Sequence, residues 1–244
     1  MFLYNNVFVL KYFYIFILRK WIVIVLVGSE KGGVGKSMIA AHAAVRLSMT
    51  GKPTFLADAD PQQTSLRWAI ARKKNRPDSP TVESASLVGD LRPEIAKIAK
   101  DYGHIVIDCG GSDSTALRSG MLLAHRRIIP SRVARRDIET LQLVSQLVAQ
   151  ANAERPKKGM TEMISRVVFN GIKALPSFWS RIEAAKKAVE GMGLGVSKFS
   201  IVDRVSYDDS QYQGGTVFDA REDQKAIDEM ERVLKSLLRK EQPE

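Results

Sequence analysis

Residues 21–40 read WIVIVLVGSEKGGVGKSMIA. The stretch 22–27 is an unbroken apolar run rich in Ile and Val, the composition of a strand buried on both faces. Residues 38–49 have the composition of a helix. Between them lies Lys31-Gly32-Gly33-Val34-Gly35-Lys36-Ser37. Glycines let consecutive backbone N–H groups turn inward and approach phosphate oxygens closely. The helix that follows presents its positive N-terminal end to the same phosphates. In that arrangement Lys36 neutralises β- and γ-phosphates, and the Ser37 hydroxyl meets Mg²⁺. Strand, glycines, Lys-Ser and helix in this order give a P-loop its structural context.

Outward from the loop, apolar runs alternate with helical patterns. Strands are predicted at 54–57, 105–107, 127–129, 164–169 and 196–201. Helices are predicted at 62–74, with Trp68 on the apolar side, and at 91–100, 114–124, 138–151 and 178–189. The 138–151 helix carries Leu141, Val144, Leu147 and Val148 at helical spacing. A closing helix at 222–240 carries Ile227, Met230, Val233, Leu234, Leu237 and Leu238 on one face. Residues 76–80 and 155–159 read as surface loops. The alternation implies an α/β fold, a doubly wound, mostly parallel sheet with helices on both faces, as one domain over 21–244.

Two acidic motifs sit where such a sheet opens on its ligand crevice, at strand C-terminal ends. Asp58-Ala59-Asp60-Pro61-Gln62 closes the second strand. Alternation puts the side chains of Asp58 and Asp60 on one side, either to cap the next helix or to serve a reaction. Ile105-Val106-Ile107-Asp108 is an apolar strand ending in an acid, the pattern in which the carboxylate holds Mg²⁺. Asn170, after Val167-Val168-Phe169, reads as a turn former.

Composition bounds the alternatives. The chain has 244 residues, with 45% apolar and 26% charged, which excludes a disordered chain and allows a large core. Its single cysteine, Cys109, excludes a disulfide scaffold and a cysteine-ligated cluster within one subunit. Lys plus Arg number 37 against 27 Asp plus Glu, a net +10 that favours an acidic partner, nucleic acid ahead of membrane headgroups. Residues 1–20 are an apolar extension in which Met1 to Leu18 is interrupted by Asn5, Asn6 and Lys11 and is followed by Arg19 and Lys20. They fall short of the roughly 20 clean apolar residues of a membrane span and lack the basic start and cleavage site of a signal peptide. A mis-assigned start codon is the reading favoured here.

The loop departs from the ordinary P-loop, with Glu30 five positions before Gly35 and an extra Lys31 at its head. It resembles the deviant Walker A motif of the ParA/MinD ATPase family. Asp58 to Gln62, Asp108 and the late stretch Ile201-Val202-Asp203-Arg204-Val205-Ser206-Tyr207, with Gly214-Gly215 and Val217-Phe218, follow in family order. The resemblance covers about Trp21 to Lys240 and is nearest to small ParF-like partition proteins. It implies ATP and Mg²⁺ as ligands and cofactor. Catalysis falls to Asp60, which orients the attacking water, with Lys36, and with Lys31 acting across an ATP-sandwich homodimer. Nucleotide binding is assigned to Lys31, Gly32, Gly33, Val34, Gly35, Lys36, Ser37, Met38 and Asn170. Metal binding is assigned to Ser37, Asp58 and Asp108. Family members often follow the last Asp with a proline-containing turn, where this chain has Cys109-Gly110-Gly111.

The resemblance also implies nonspecific DNA binding by the ATP dimer, a centromere-binding or cargo adaptor as second partner, and a cytoplasmic, nucleoid-associated location. Arg204, Arg135, Arg136, Lys186 and Lys187 are the candidate DNA contacts, with Arg132 in the same run as Arg135. A membrane partner is not expected, because the apolar stripe of the closing helix is explained by a core. The competing roles are a MinD-like membrane-positioning ATPase, a conjugation accessory ATPase and a dethiobiotin-synthetase-like enzyme.

Overall fold

The computed structural model describes residues 22–111, 113–220 and 222–238. The expectations for the extension 1–20, and the end of the closing helix at 239–240, lie outside these residues. Among the described residues there are eight strands, most of them separated by helices. They are β1 (Val23–Gly28), β2 (Thr54–Ala59), β3 (Val82–Ser86), β4 (His104–Cys109), β5 (Arg126–Ser131), β6 (Ile164–Ile172), β7 (Gly195–Val196) and β8 (Ile201–Val202). The order across the sheet is β3-β2-β4-β1-β5-β6-β7, with β8 also on β6, and every pairing is parallel.

The apolar runs bury both faces by alternation. In β1, Ile24 and Leu26 point into one core while Val25 and Val27 point into the other. The first face is covered by α3 (Arg92–Ile98), α4 (Thr115–Leu123), α5 (Arg135–Glu154) and α6 (Pro176–Gly191), through Ile95, Leu117, Leu141, Val144 and Ile182. The second is covered by α1 (Lys36–Ser48), α2 (Thr64–Asn75) and α9 (Gln224–Leu238). Short helices α7 (Val205–Gln211) and α8 (Val217–Ala220) bridge from β8 to α9 on this side. Met230, Val233, Leu234 and Leu237 of α9 are all buried there, so its stripe is core. Among the described residues no helix is long and apolar enough to cross a membrane.

Two sequence expectations are corrected, and one strand is added to them. The addition is the edge strand β3, which carries little hydrophobic signal because only Val82 of Val-Glu-Ser-Ala-Ser is buried. The strand expected at 196–201 is two two-residue strands around a turn, where the Phe199 N–H donates to Ser197 Oγ at 3.2 Å. The loop at 155–159 is exposed at Pro156–Lys158, but Arg155 is fully buried. Its Nε donates to the Thr161 carbonyl and its Nη1 to the Met121 carbonyl, both at 2.8 Å, which offsets much of the cost of burying the charge.

Candidate nucleotide site and basic cleft

The order reversal places β1 and β4 side by side, so the turns after them diverge and open a crevice at their C-terminal ends. The register sets the chemistry: Val27 and Asp58 both lie beside Asp108. The loop from β1 to α1 wraps the mouth of this crevice. Its backbone carbonyls are held by other groups. Lys36 Nζ donates to the Lys31 carbonyl at 3.2 Å, Asn170 Nδ2 to that of Val34 at 2.8 Å, and the Ile39 N–H to that of Gly35 at 3.0 Å. Gly35 caps α1 in the left-handed region at φ 91°, where a side chain would be strained and would run into the Asn170 amide. Lys36 is buried and Lys31 is exposed at the head of the loop. Gly32 and Gly33 are exposed, Val34 is buried, and Ser37 and Met38 are half-buried in the first turn of α1.

Asp108 is fully buried at the floor of the crevice. Neither of its oxygens has a well-formed hydrogen bond, although the hydroxyls of Ser37 and Ser65 lie against it. Burial pushes its pKa up to about 7, the neighbouring Asp58 and Asp60 add to the rise, and the two hydroxyls oppose it. An uncompensated buried carboxylate beside a serine hydroxyl is a fit for a hard cation. Among the described residues no cluster of three or more His, Cys, Asp or Glu side chains could hold a metal. A divalent ion here would therefore draw most of its ligands from water and substrate phosphates, the usual habit of Mg²⁺.

The two acids of the second motif divide their work. Asp58 is fully buried, and its oxygens accept from the Asp60 N–H at 3.0 Å and the Leu66 N–H at 2.7 Å. It thus caps the first turn of α2 from a distance. Asp60 is half-buried and accepts from the Gln62 N–H at 2.9 Å through Oδ1. Its Oδ2 faces Gly110, where a Cβ would lie 3.3 Å away. A Cβ on Gly111 would come within 2.7 Å of the Glu30 carbonyl. Gly110-Gly111 thus brings the end of β4 directly against Asp60 and the P-loop, a close approach that larger residues would prevent. Cys109 is buried in the core, its thiol pushed up to about 11 by burial and by Asp108.

Arg132, in the same basic run as Arg135 and Arg136, donates from Nη2 to the Gly33 carbonyl at 3.3 Å, which places it in the P-loop surround. Beneath the loop, burial raises the Glu30 pKa, while burial lowers that of Arg127, fully enclosed nearby, to about 10. Local sequence pattern signals neither placement.

A second feature lies away from the P-loop. A cavity of about 390 Å³ between α6, the β7–β8 turn and α9 is lined by Lys186, Lys198, Arg204, Lys225 and Arg232, with Asp228 and Glu229. The structure thus brings Arg204 and Lys186 together. Lys187 is exposed next to Lys186 on α6. Arg135 and Arg136 open α5 and do not line this cleft; Arg135 pairs instead with Glu139 at 2.9 Å. Arg204 leans on Glu229 at 3.5 Å.

Comparison with known proteins agrees with this geometry. The family model "CobQ/CobB/MinD/ParA nucleotide binding domain" matches residues 25–242, and the chain belongs to that family. A ParA protein of Rhizobium radiobacter is 26% identical over 159 residues, covering 62% of this chain and 71% of that protein. The fold matches an ATP complex of McdA from Cyanothece at 14% identity and a TM-score of 0.67, over 92% of this chain and 99% of that one. A plasmid partition protein from Borrelia burgdorferi matches at 19% identity and a TM-score of 0.61, over 89% and 97% of the two chains. MinD from Aquifex aeolicus matches at 15% identity and a TM-score of 0.67, over 91% and 98%. The protein is therefore a nucleotide-binding domain of the ParA/MinD ATPase class.

Proposed function

We propose that this chain is a slow Mg²⁺-dependent ATPase that partitions DNA-borne cargo. ATP would join two copies, the dimer would bind DNA without sequence preference, and an adaptor-stimulated hydrolysis would release it. The observation that carries the nucleotide half is the buried, unpartnered carboxylate of Asp108 beside Ser37, at the foot of a loop in which the carbonyls of Lys31 and Val34 are held by Lys36 and Asn170. Ser37 and Asp108 would hold Mg²⁺, with Asp58 adding negative charge behind them. The ion would supply neutralisation of charge on the transferring phosphoryl group. Lys36 would bind the phosphates and Lys31 would reach across the dimer. Met38 and the P-loop residues 31–37 would enclose the nucleotide, with Asn170 holding the loop from the base side. Asp60, anchored through Oδ1, has its second oxygen available to orient a water.

The DNA half is supported by the basic cleft, where Arg204 and Lys186 meet three further cations. Five cations neutralising five phosphates would give a log–log salt slope of about −4.5. The membrane alternative needs an amphipathic helix free to leave the fold, and the stripe of α9 is committed to the core.

The test is duplex binding by the full chain with ATP, with ADP and without nucleotide, across a salt series. ATP-dependent, salt-sensitive binding that disappears in Lys36→Ala is the expected result. Lys36→Ala should itself lower ATP affinity roughly 100-fold or more, measured by calorimetry, because it removes a charge paired with phosphate in an enclosed site. Absence of duplex binding under every nucleotide condition would sink the partition reading and send the search to lipid and small-molecule partners. Arg132→Ala should weaken ATP binding about fivefold, the worth of one exposed hydrogen bond, with salt-dependent DNA contacts unchanged once ATP is saturating. A change in the salt slope instead would return Arg132 to the DNA surface.

A further inference from the structure

The basic cleft has one wall that phosphate neutralisation does not explain. Trp179, on the first half of α6, lines it while remaining 59% exposed. By contrast Trp68 is buried and donates its indole N–H to the Gly215 carbonyl at 2.9 Å. The Trp179 indole is therefore largely open to solvent at the edge of a cavity carrying five cations and two acids. The acids are already engaged. Glu229 accepts from the Val202 N–H and the Tyr207 hydroxyl, both at 2.9 Å, and pairs with Arg204. Asp228 accepts from the Gln224 amide at 2.7 Å. Lys186 is partly engaged by Glu183 at 2.9 Å, and Lys198 sits 6.0 Å from the centre of the Phe199 ring. The cleft thus offers surplus positive charge, an aromatic platform and a volume of about 390 Å³, within the range of small-ligand sites.

We propose that this cleft binds an unpaired nucleotide of a single-stranded nucleic acid, with its base stacked on Trp179 and its flanking phosphates on Lys186, Lys198, Arg204, Lys225 and Arg232. A paired base in an intact duplex keeps its faces within the stack and cannot use the indole. A single strand exposes them, and stacking on aromatic side chains tolerates any base. The inference rests on the reading of this cleft as a nucleic-acid surface and adds the class of strand it prefers.

The probes are an oligothymidylate, an abasic oligodeoxynucleotide of equal length, an oligouridylate and a duplex, each titrated against the ATP-loaded full chain. The parent should bind oligothymidylate about tenfold more tightly than the abasic strand, which carries the same phosphates without bases. Trp179→Ala should erase that difference and leave duplex binding within about twofold, whereas Trp179→Phe should keep most of it. The expected tryptophan quenching on adding oligothymidylate should vanish in Trp179→Phe. An unchanged melting temperature in both variants checks the fold. Equal affinity for thymidylate and abasic strands in the parent, or a Trp179→Ala variant that keeps the gap, overturns the stacking site while duplex binding stands. Failure of the parent to bind duplex or any single strand overturns the nucleic-acid reading itself. Oligouridylate and oligothymidylate of equal affinity support a site that reads base faces rather than the sugar.

Discussion

Asp60→Ala is expected to bind ATP within about threefold of the parent while its turnover falls by roughly 10²- to 10⁴-fold, the usual contribution of a positioned acid–base group. The two halves of that expectation come from different atoms. Asp60 contributes one hydrogen bond to the local backbone, from the Gln62 N–H. The start of α2 is held instead by Asp58, which takes the N–H groups of Asp60 and Leu66. Removing the Asp60 carboxylate therefore leaves Asp58, Asp108 and the P-loop in place, and binding survives. The oxygen toward Gly110 is lost, and with it the group available to orient a water. Asp60→Asn keeps an acceptor for Gln62 but loses the charge, so it should fall between parent and alanine variant only if orientation matters more than basicity. Single-turnover phosphate release with saturating ATP and DNA reads both variants. A normal rate in Asp60→Ala would remove Asp60 from the reaction.

Asp58→Ala should behave differently, and the contrast shows how far sequence pattern reaches. Both acids lie on one side of an extended segment, so either could cap or catalyse by spacing alone. Which one caps depends on where Leu66 N–H arrives, and that is set by the turn at 60–63, with Gln63 in the left-handed region at φ 51°. The P-loop, Asp108 and the central strands were legible because their information is local: glycines beside Lys-Ser, and apolar runs ending in an acid. Most of the misses are long-range. Arg155 sits in a polar stretch with every local sign of a surface loop. It is buried because the carbonyls of Met121 and Thr161 converge on its guanidinium. Arg132 sits within four residues of Arg135 and Arg136 in sequence, yet it reaches the Gly33 carbonyl while Arg135 pairs along its own helix. The five cations of the cleft come from three separate stretches that only the packing of α9 against the sheet brings together. β3 escaped because an edge strand with one buried side chain carries almost no hydrophobic signal.

Asp219→Ala is expected to destabilise the fold by about 3–5 kcal/mol, because it leaves the Arg72 guanidinium buried without its counter-charge. Arg72 and Asp219 are exposed by only 2% and 7% and pair through two bonds, at 2.9 and 3.0 Å. Arg72 also donates to the carbonyls of Pro80 and Gly214, and Asp219 accepts from the N–H and hydroxyl of Thr216. The pair thus ties α2 to the late segment 214–220. A second titratable group holds the same segment. His42 of α1 is fully buried, and its Nδ1 bonds the Met38 carbonyl at 2.8 Å while its Nε2 accepts from the Val217 N–H at 3.2 Å. Burial lowers its pKa from 6.5 to about 4. The unfolded chain therefore takes up a proton that the folded one refuses. Stability from His42 is complete above pH 6.5 and declines by about 1.4 kcal/mol per unit as pH falls toward 4, roughly 3 kcal/mol in all. Burial raises the pKa of Asp219, but the bonds from Arg72 and Thr216 outweigh it and leave the carboxyl below its usual 3.8. Its share is present above that value and is lost as pH falls through the depressed one, after the His42 share has gone. Denaturant titrations from pH 7 to pH 4 should thus give a falling midpoint in the parent and a flatter one in His42→Asn. His104, also lowered to about 4 by burial and Lys52, keeps part of the slope in that variant. Equal slopes in parent and His42→Asn would mean that the bond to Val217 does not depend on a neutral imidazole. The Asp219→Ala chain, already short of stability at pH 7, should unfold at a higher pH than the parent, because the histidine losses then start from a smaller reserve.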